Sequence, residues 1–396
     1  MKIFFSLFKK NINIGLFAKL LFVLVLFELV IGGSGHYTEL GPITLRMLFF
    51  LIAVISSILY YSFKKVIKRD VFIIIWSFTL LSIFGATIGF LNNAPIPLII
   101  EDFKPLSFFY ILLFFSISIN KSDDIELISR VIKKGAIIIA VIYLFTISML
   151  FIGKIDFLTF YANQERYGEV IFRNDTLFFY KGFLYLCIGF FFYLFTNGKF
   201  KFISLLFLYI CIILTLTRGF ILFTTVLLIF YLLFINQNKL LKIFTIIIGF
   251  IITIIAIPFL IEAMGDRSNS DAIRYIQMEQ VMSSINPISL IVGHGLGVGT
   301  EIRPIHMELS FLEIFHKQGL IGIVFWLCIY IHIFIMFFNI KDKRIKNQAY
   351  PFVLSVVFVI LQSTTNPFMN NPIGLTMILI TIVVLSKLLE QQKALE

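Results

Sequence analysis

Arginine and histidine gather where an otherwise oily chain turns polar. Between Glu262 and Gln318, flanked by long apolar runs, stand Arg267, Arg274, Arg303, His294, His306 and His316. The chain as a whole is 59% apolar and only 14% charged. Ionisable groups in hydrocarbon cost several kcal/mol each, so a membrane protein keeps them out of lipid or uses them. Arginine presents a planar fork of donors that grips phosphate bidentately and stays charged. Neutral imidazole can take a proton near pH 7. Phosphate binding and proton transfer are the chemistries this segment offers.

Other arginines extend the pattern. Seven of the ten, Arg46, Arg166, Arg173, Arg218, Arg267, Arg274 and Arg303, fall on or near one side of the apolar runs, whereas nearly all lysines fall on the other. Arg218 stands between two runs in LTLTRGF with no acid close in sequence. The plainer alternative for the others is a helix cap, or a pair with an acid such as Asp175, Asp266, Asp271 or Glu301.

The elements that must position these groups can be read in order. SNSDAIRYIQMEQVMSSINP reads as an amphipathic helix capped by Ser268 or Ser270, with an apolar stripe of Ile273, Ile276, Met282 and Ile285, ended by Pro287. GHGLGVG then alternates four glycines over Gly293–Gly299. No strand precedes it and the spacing is wrong for a dinucleotide fingerprint. It reads as a tight turn where backbone meets another helix or a ligand, which makes Gly295 and Gly297 candidate substrate-contacting positions. HMELSFLEIFHKQGLIG begins a helix with His306 at its start. Glu313 and Lys317 share a face of that helix, and His316 is turned away by roughly 80°. The histidines and Glu313 have no recognised metal spacing, so neither metal nor cofactor is expected. His306 has a plainer alternative too: a hydrogen bond to a loop carbonyl.

Apolar runs of about twenty residues recur along all 396 residues, and mean hydropathy is +0.99. Each run can cross about 30 Å of hydrocarbon as a helix. The runs predict an all-α polytopic membrane protein of about twelve spans: 14–32, 44–63, 71–90, 104–120, 135–153, 177–196, 202–217, 219–235, 243–261, 319–340, 349–366 and 371–388. The first run is long and lacks a small-residue cleavage site, so it reads as an uncleaved span. SDDIELISRVIKK reads as a separate capped helix at the inner surface. No aqueous stretch is long enough to fold alone, so 1–396 reads as one transmembrane domain. Lysine and arginine in the short loops place both termini in the cytoplasm. Loops 154–176 and 262–318 then face outward as the candidate active-site region. The net charge of +11 is a topology signal, not a nucleic-acid footprint. Cys187, Cys211 and Cys328 form no framework. Glu28, Lys181 and His332 are ionisable groups inside expected spans.

The run from Arg274 through NPISLIVGHGLGVG to HMELSFLEIFHKQGLIG resembles the signature region of the bacterial O-antigen polymerase and O-antigen ligase family. There an arginine-bearing periplasmic helix leads to a glycine-rich turn, and a histidine opens a helix with a Gly-x-x-Gly, here Gly319 and Gly322. TLTRG around Arg218 is similar to that family's arginine at the start of a span, and IGGSGHYTELGPITLRML to the first outer loop of exopolysaccharide polymerases. Where many members carry Asn after the histidine, this chain has Met307.

The resemblance implies a metal-independent membrane glycosyltransferase similar to the GT-C type, in the bacterial inner membrane with its site facing the periplasm. The donor would be an oligosaccharide on undecaprenyl diphosphate. The acceptor would be a sugar hydroxyl of another lipid-linked repeat unit (polymerase) or of lipid A-core (ligase). Membrane lipids and a chain-length regulator protein are the implied partners, with no nucleic acid. Within that reading Arg218 and Arg274, with Arg173 as a third, hold the diphosphate. His306 is the general base of an inverting transfer, and Arg303, Glu313, Gly295 and Gly297 contact substrate. A lipid-linked oligosaccharide flippase is the rival from another class, but it would place its ionisable groups near the bilayer midplane.

Overall fold

The computed structural model describes residues 14–40, 43–64, 67–235 and 268–396. The expected span 243–261, Arg267 and the opening of the 262–318 loop lie outside the described residues.

In hydrocarbon every backbone N–H and C=O must be paired within its own segment, so apolar runs become helices. In chain order these are α1 (Ile14–Ile31), α2 (Leu45–Lys64), α3 (Arg69–Leu91), α4 (Ile96–Ser107), α5 (Ile111–Ser118), α6 (Ser122–Phe151), α7 (Phe157–Glu165) and α8 (Leu184–Leu194). There follow α9 (Lys201–Leu214), α10 (Arg218–Phe230), α11 (Ser268–Ser284), α12 (Pro287–Val292), α13 (Ser310–Asn339), α14 (Lys343–Gln362) and α15 (Pro372–Leu395). Among the described residues seven are long and apolar enough to cross a bilayer: α2, α3, α6, α10 with its extension to Ile235, α13, α14 and α15. The protein is an all-α, multi-pass membrane protein. α15 is the most enclosed, with 78% of its apolar window buried against 17% for α2. An apolar core continuous from Leu21 to Leu388 packs around it.

Several expected elements change shape. The run 104–120 is not one unbroken α-helix. Pro105 lies inside α4 and lacks the N–H that would continue the ladder, and a 3-10 turn, Phe108–Tyr110, joins α4 to α5. The expected surface helix at 122–134 is instead the first half of the 30-residue α6, whose start is held by Asp124 accepting from the Asn120 and Lys121 N–H groups. The expected span 177–196 opens with a strand: β3 (Val170–Phe172) and β4 (Phe178–Tyr180) form an antiparallel hairpin. Lys181 follows that hairpin in a 3-10 turn, so it lies before α8 instead of inside a span. Glu28 is explained by Arg46, which grips it with Nε and Nη2 at 2.8 and 3.0 Å while both are buried. A second small hairpin, β1 (Glu39–Leu40) with β2 (Ile43–Thr44), lies just before Arg46. His332 Nε2 is buried without a hydrogen-bond partner.

The glycine turn is a structural joint. α13 is broken at Gly319, where φ is +60°. The carbonyls of His316 and Lys317, freed by that break, accept the N–H groups of His294 and Gly295 at 2.7 and 2.9 Å. On the other side, Leu296 N–H donates to the Gly85 carbonyl of α3 at 2.9 Å. At Gly295, with φ +91°, an added Cβ would lie 2.0 Å from the Gly89 nitrogen. Gly295→Ala is therefore expected to abolish accumulation of folded protein. Gly153→Ala meets nothing within 4 Å at φ +72° and should cost only about 1 kcal/mol. Membrane-fraction yield and thermal unfolding of the two variants check this contrast.

Candidate active site

The glycine joint brings α4 beside the start of α13. Asp102, from α4, is 4% exposed and accepts the Gly297 N–H at 2.6 Å. Lys317, 3% exposed, donates from Nζ to Asp102 Oδ1 and Glu313 Oε1, each at 2.7 Å, and to the Ile305 carbonyl. Glu313 and Lys317 share a helix face as their spacing predicts. Asn370, in the turn between α14 and α15, donates to Glu313 Oε2 at 2.9 Å. Over this buried lattice sits His306, its side chain 46% exposed, with Nδ1 3.6 Å from Asp102 Oδ1 and 3.7 Å from Glu313 Oε1. Those distances exceed a formed hydrogen bond but decide which ring nitrogen faces the acids. Burial pushes the Asp102 carboxyl above its ordinary range, against the pull of Lys317 and the Gly297 N–H. Asp102, His306 and Glu313 could together hold a metal ion, with ligand atoms within 4.8 Å of one another. The Lys317 ammonium already bridges the two carboxylates.

His306 does not open the helix as expected. α13 begins at Ser310, and the loop before it is held non-helical by Thr300, whose backbone exchanges hydrogen bonds with Arg303, and by Gln277 and Gln280 of α11. α11 presents only part of its expected stripe to the protein. The residues packed inward are Gln277 and Val281, whereas Tyr275, Met278 and Met282 are exposed. Ile273 and Ile285 share the i, i+4 row of Gln277 and Val281 and are half-buried, whereas Ile276 and Met282 face outward, so half of the expected stripe lies toward the protein. Pro287 starts α12, capped by Asn286, as well as following α11.

The arginines form a chain. Arg218 Nη1 is 3.5 Å from Asp271 Oδ2, and Arg274 Nη1 is 3.3 Å from Asp271 Oδ1. Arg274 Nε lies 3.1 Å from Glu308 Oε2, and Arg303 Nη2 pairs with Glu308 Oε1. Arg218 starts α10, so the fold supplies from α11 an acid that its own sequence neighbourhood lacks. Three guanidinium groups share two carboxylates, which leaves net positive charge and spare N–H donors. Glu308 brings this chain to the segment carrying His306. The cleft beside His306 is itself lined by Asp102, Glu313, Lys317, Gln318 and Asn370, and not by the arginines. Arg173 follows β3 with its guanidinium 5.8 Å over the Phe179 ring, and Phe179 packs on Phe220 of α10. Arg46 and Arg166 stay apart: the first is locked to Glu28, and the second is exposed at the end of α7. The backbone N–H groups of Gly295 and Gly297 are both engaged within the protein, by Lys317 and Asp102. His294 and His316 meet in a tilted pair with ring centroids 4.6 Å apart. Burial lowers the His294 pKa.

Asp102, Lys317, Gln318 and Asn370 escaped the sequence reading as site residues. Glu101 and Asp102 look alike beside an apolar run, and TTNPFMNNPIG reads only as a polar turn. The one available signal was the four-residue spacing of Glu313 and Lys317.

No family model matches the chain. Over 375 residues, 93% of this chain and 93% of the relative, it is 28% identical to the O-antigen polymerase of Shigella flexneri. This supports an O-antigen polymerase-type family. The similarity spans far more of the chain than the motifs around Arg218, Arg274 and His306, so an O-antigen polymerase-type reading does not rest on those motifs alone.

Proposed function

We propose that this protein is a polysaccharide polymerase of the bacterial inner membrane, with its site open to the periplasm. It transfers a glycan from undecaprenyl diphosphate to a sugar hydroxyl of another lipid-linked repeat unit. The observation that carries this reading is the arginine chain running through Glu308 to the segment of an exposed histidine backed by two buried carboxylates. The acceptor oxygen attacks the anomeric carbon and its proton passes to His306 Nε2, the ring nitrogen turned from the acids. The carbon–oxygen bond to the diphosphate breaks on the opposite face, which inverts the centre. The departing diphosphate keeps the electron pair, and its charge falls to the forks of Arg218 and Arg274, with Arg173 and Arg303 beside them. Asp102 and Glu313 stabilise the imidazolium that forms, as a carboxylate does in other histidine-based sites. Lys317 supplies the fixed positive charge between them, and no step requires a metal.

Within a single transmembrane domain the described part of loop 262–318 supplies most of these residues and loop 154–176 offers Arg173, while Asp102, Arg218 and Asn370 come from outside both loops; a chain-length regulator would act from outside the site. Transfer to lipid A-core is the less favoured reading, because the relative is a polymerase and the first outer loop resembles that of polymerases. The test is purified protein in liposomes with lipid-linked repeat units. A ladder of longer glycans is expected, and translocation with no change of glycan length would overturn the reading. Arg274→Lys keeps the charge but loses the fork, and should slow the ladder by about 10–10²-fold. Arg166→Ala removes an arginine outside the chain and should leave the rate unchanged.

A further inference from the structure

We propose that the cleft beside His306 is the acceptor-saccharide subsite, in which the side-chain amides of Gln318 and Asn370 bind hydroxyl groups of the incoming sugar. This rests on the polymerase reading and deepens it. Gln318 is 6% exposed and lines the cleft, yet its Oε1 is buried with no partner, and its side chain makes no hydrogen bond among the described residues. Asn370 lines the same cleft, and its Nδ2 is spent on Glu313. That bond fixes which way the amide points and leaves Oδ1 buried without a partner. Native proteins pair buried amides, and groups left unpaired call for an explanation. Two orphaned acceptors on the wall of one cleft match a ligand that brings O–H donors.

The charge of the lining narrows the ligand class. Among the charged side chains lining the cleft, the carboxyl groups of Asp102 and Glu313 outnumber the Lys317 ammonium. A diphosphate is repelled here and drawn to the arginine chain, whereas an uncharged polyol gains acceptors for its hydroxyls. Leu106, Leu296 and Ile314 complete the wall with apolar surface suited to the C–H face of a sugar ring. The site is thus divided electrostatically, with the donor's diphosphate at the arginines and the acceptor sugar at the carboxylates, where His306 lines the cleft.

The probe is the repeat-unit oligosaccharide released from its own lipid carrier. In hydrogen-exchange mass spectrometry of the full-length wild-type protein it should protect segments 313–318 and 366–371. Gln318→Met and Asn370→Leu should each raise the concentration for half-maximal protection by roughly tenfold, the scale of one lost hydrogen bond. Arg274→Ala should leave that concentration unchanged. A polymerisation assay on the same preparation separates the two levels. Wild-type protein that builds chains but shows no protection of these segments overturns the subsite and leaves the polymerase reading standing. Equal affinity in folded variants has the same meaning. Wild-type protein that neither builds chains nor binds the oligosaccharide removes both. Should the variants fail to fold, the wild-type protection map alone decides.

Discussion

Replacing His306 by alanine is expected to slow chain synthesis about 10²–10⁴-fold at equal protein level, the usual loss for a well-placed general base. Nothing in the fold should suffer. The ring is half exposed at the cleft rim, and Lys317, the Gly297 N–H and Asn370 hold the lattice beneath it by bonds that do not involve the imidazole. The variant should therefore keep the thermal stability and detergent behaviour of the wild type while losing activity. His294→Ala is the internal control, because that ring pairs with His316 and does not line the cleft beside His306. Chain synthesis by purified protein from lipid-linked repeat units is the measurement. Near-full synthesis by His306→Ala would end the base assignment.

Lys317→Met is expected to destabilise the protein by about 3–5 kcal/mol, because removing one partner of a buried ion pair strands the other. Here two partners are stranded. Asp102 and Glu313 both lie 2.7 Å from the Lys317 ammonium, and both are buried. Without it, two carboxylates face each other with only the Gly297 N–H, the Asn370 amide and His306 near them. The double variant Asp102→Asn with Lys317→Met removes one of the opposing charges and should recover a measurable part of the loss. The readout is the unfolding temperature of detergent-purified protein, with membrane-fraction yield as a second measure. A single variant as stable as wild type would show that the ammonium does not hold the joint between α4 and α13.

Legibility in the sequence divided along a physical line. Apolar length is a local property, so α2 and α3 begin and end near the limits their hydropathy sets. The four-residue spacing of Glu313 and Lys317 is also local, and the pair forms. Sequence distance defeated the rest. Asp271 meets Arg218 across 53 residues, and Asp102 meets Lys317 across 215. Ile276 and Met282 of the expected α11 stripe face outward because periodicity reports which side is apolar, not which side the surroundings need. There the neighbour is a polar loop, and Gln277 and Gln280 pair with its backbone. The break of α13 at Gly319 was equally hidden, since it depends on the glycine turn packing against that residue's backbone.

By itself, the sequence determined a multi-pass helical protein with a polar segment rich in arginine and histidine between its apolar runs. Hydrocarbon admits only internally paired helices and penalises stray charge wherever it stands along the chain. Tertiary structure alone decided that Asp102, Glu313, Lys317 and Asn370 close beneath His306, and that Asp271 and Glu308 string three arginines together. Charges removed from water must find partners within hydrogen-bond reach, and reach is a distance in space that the folded backbone sets.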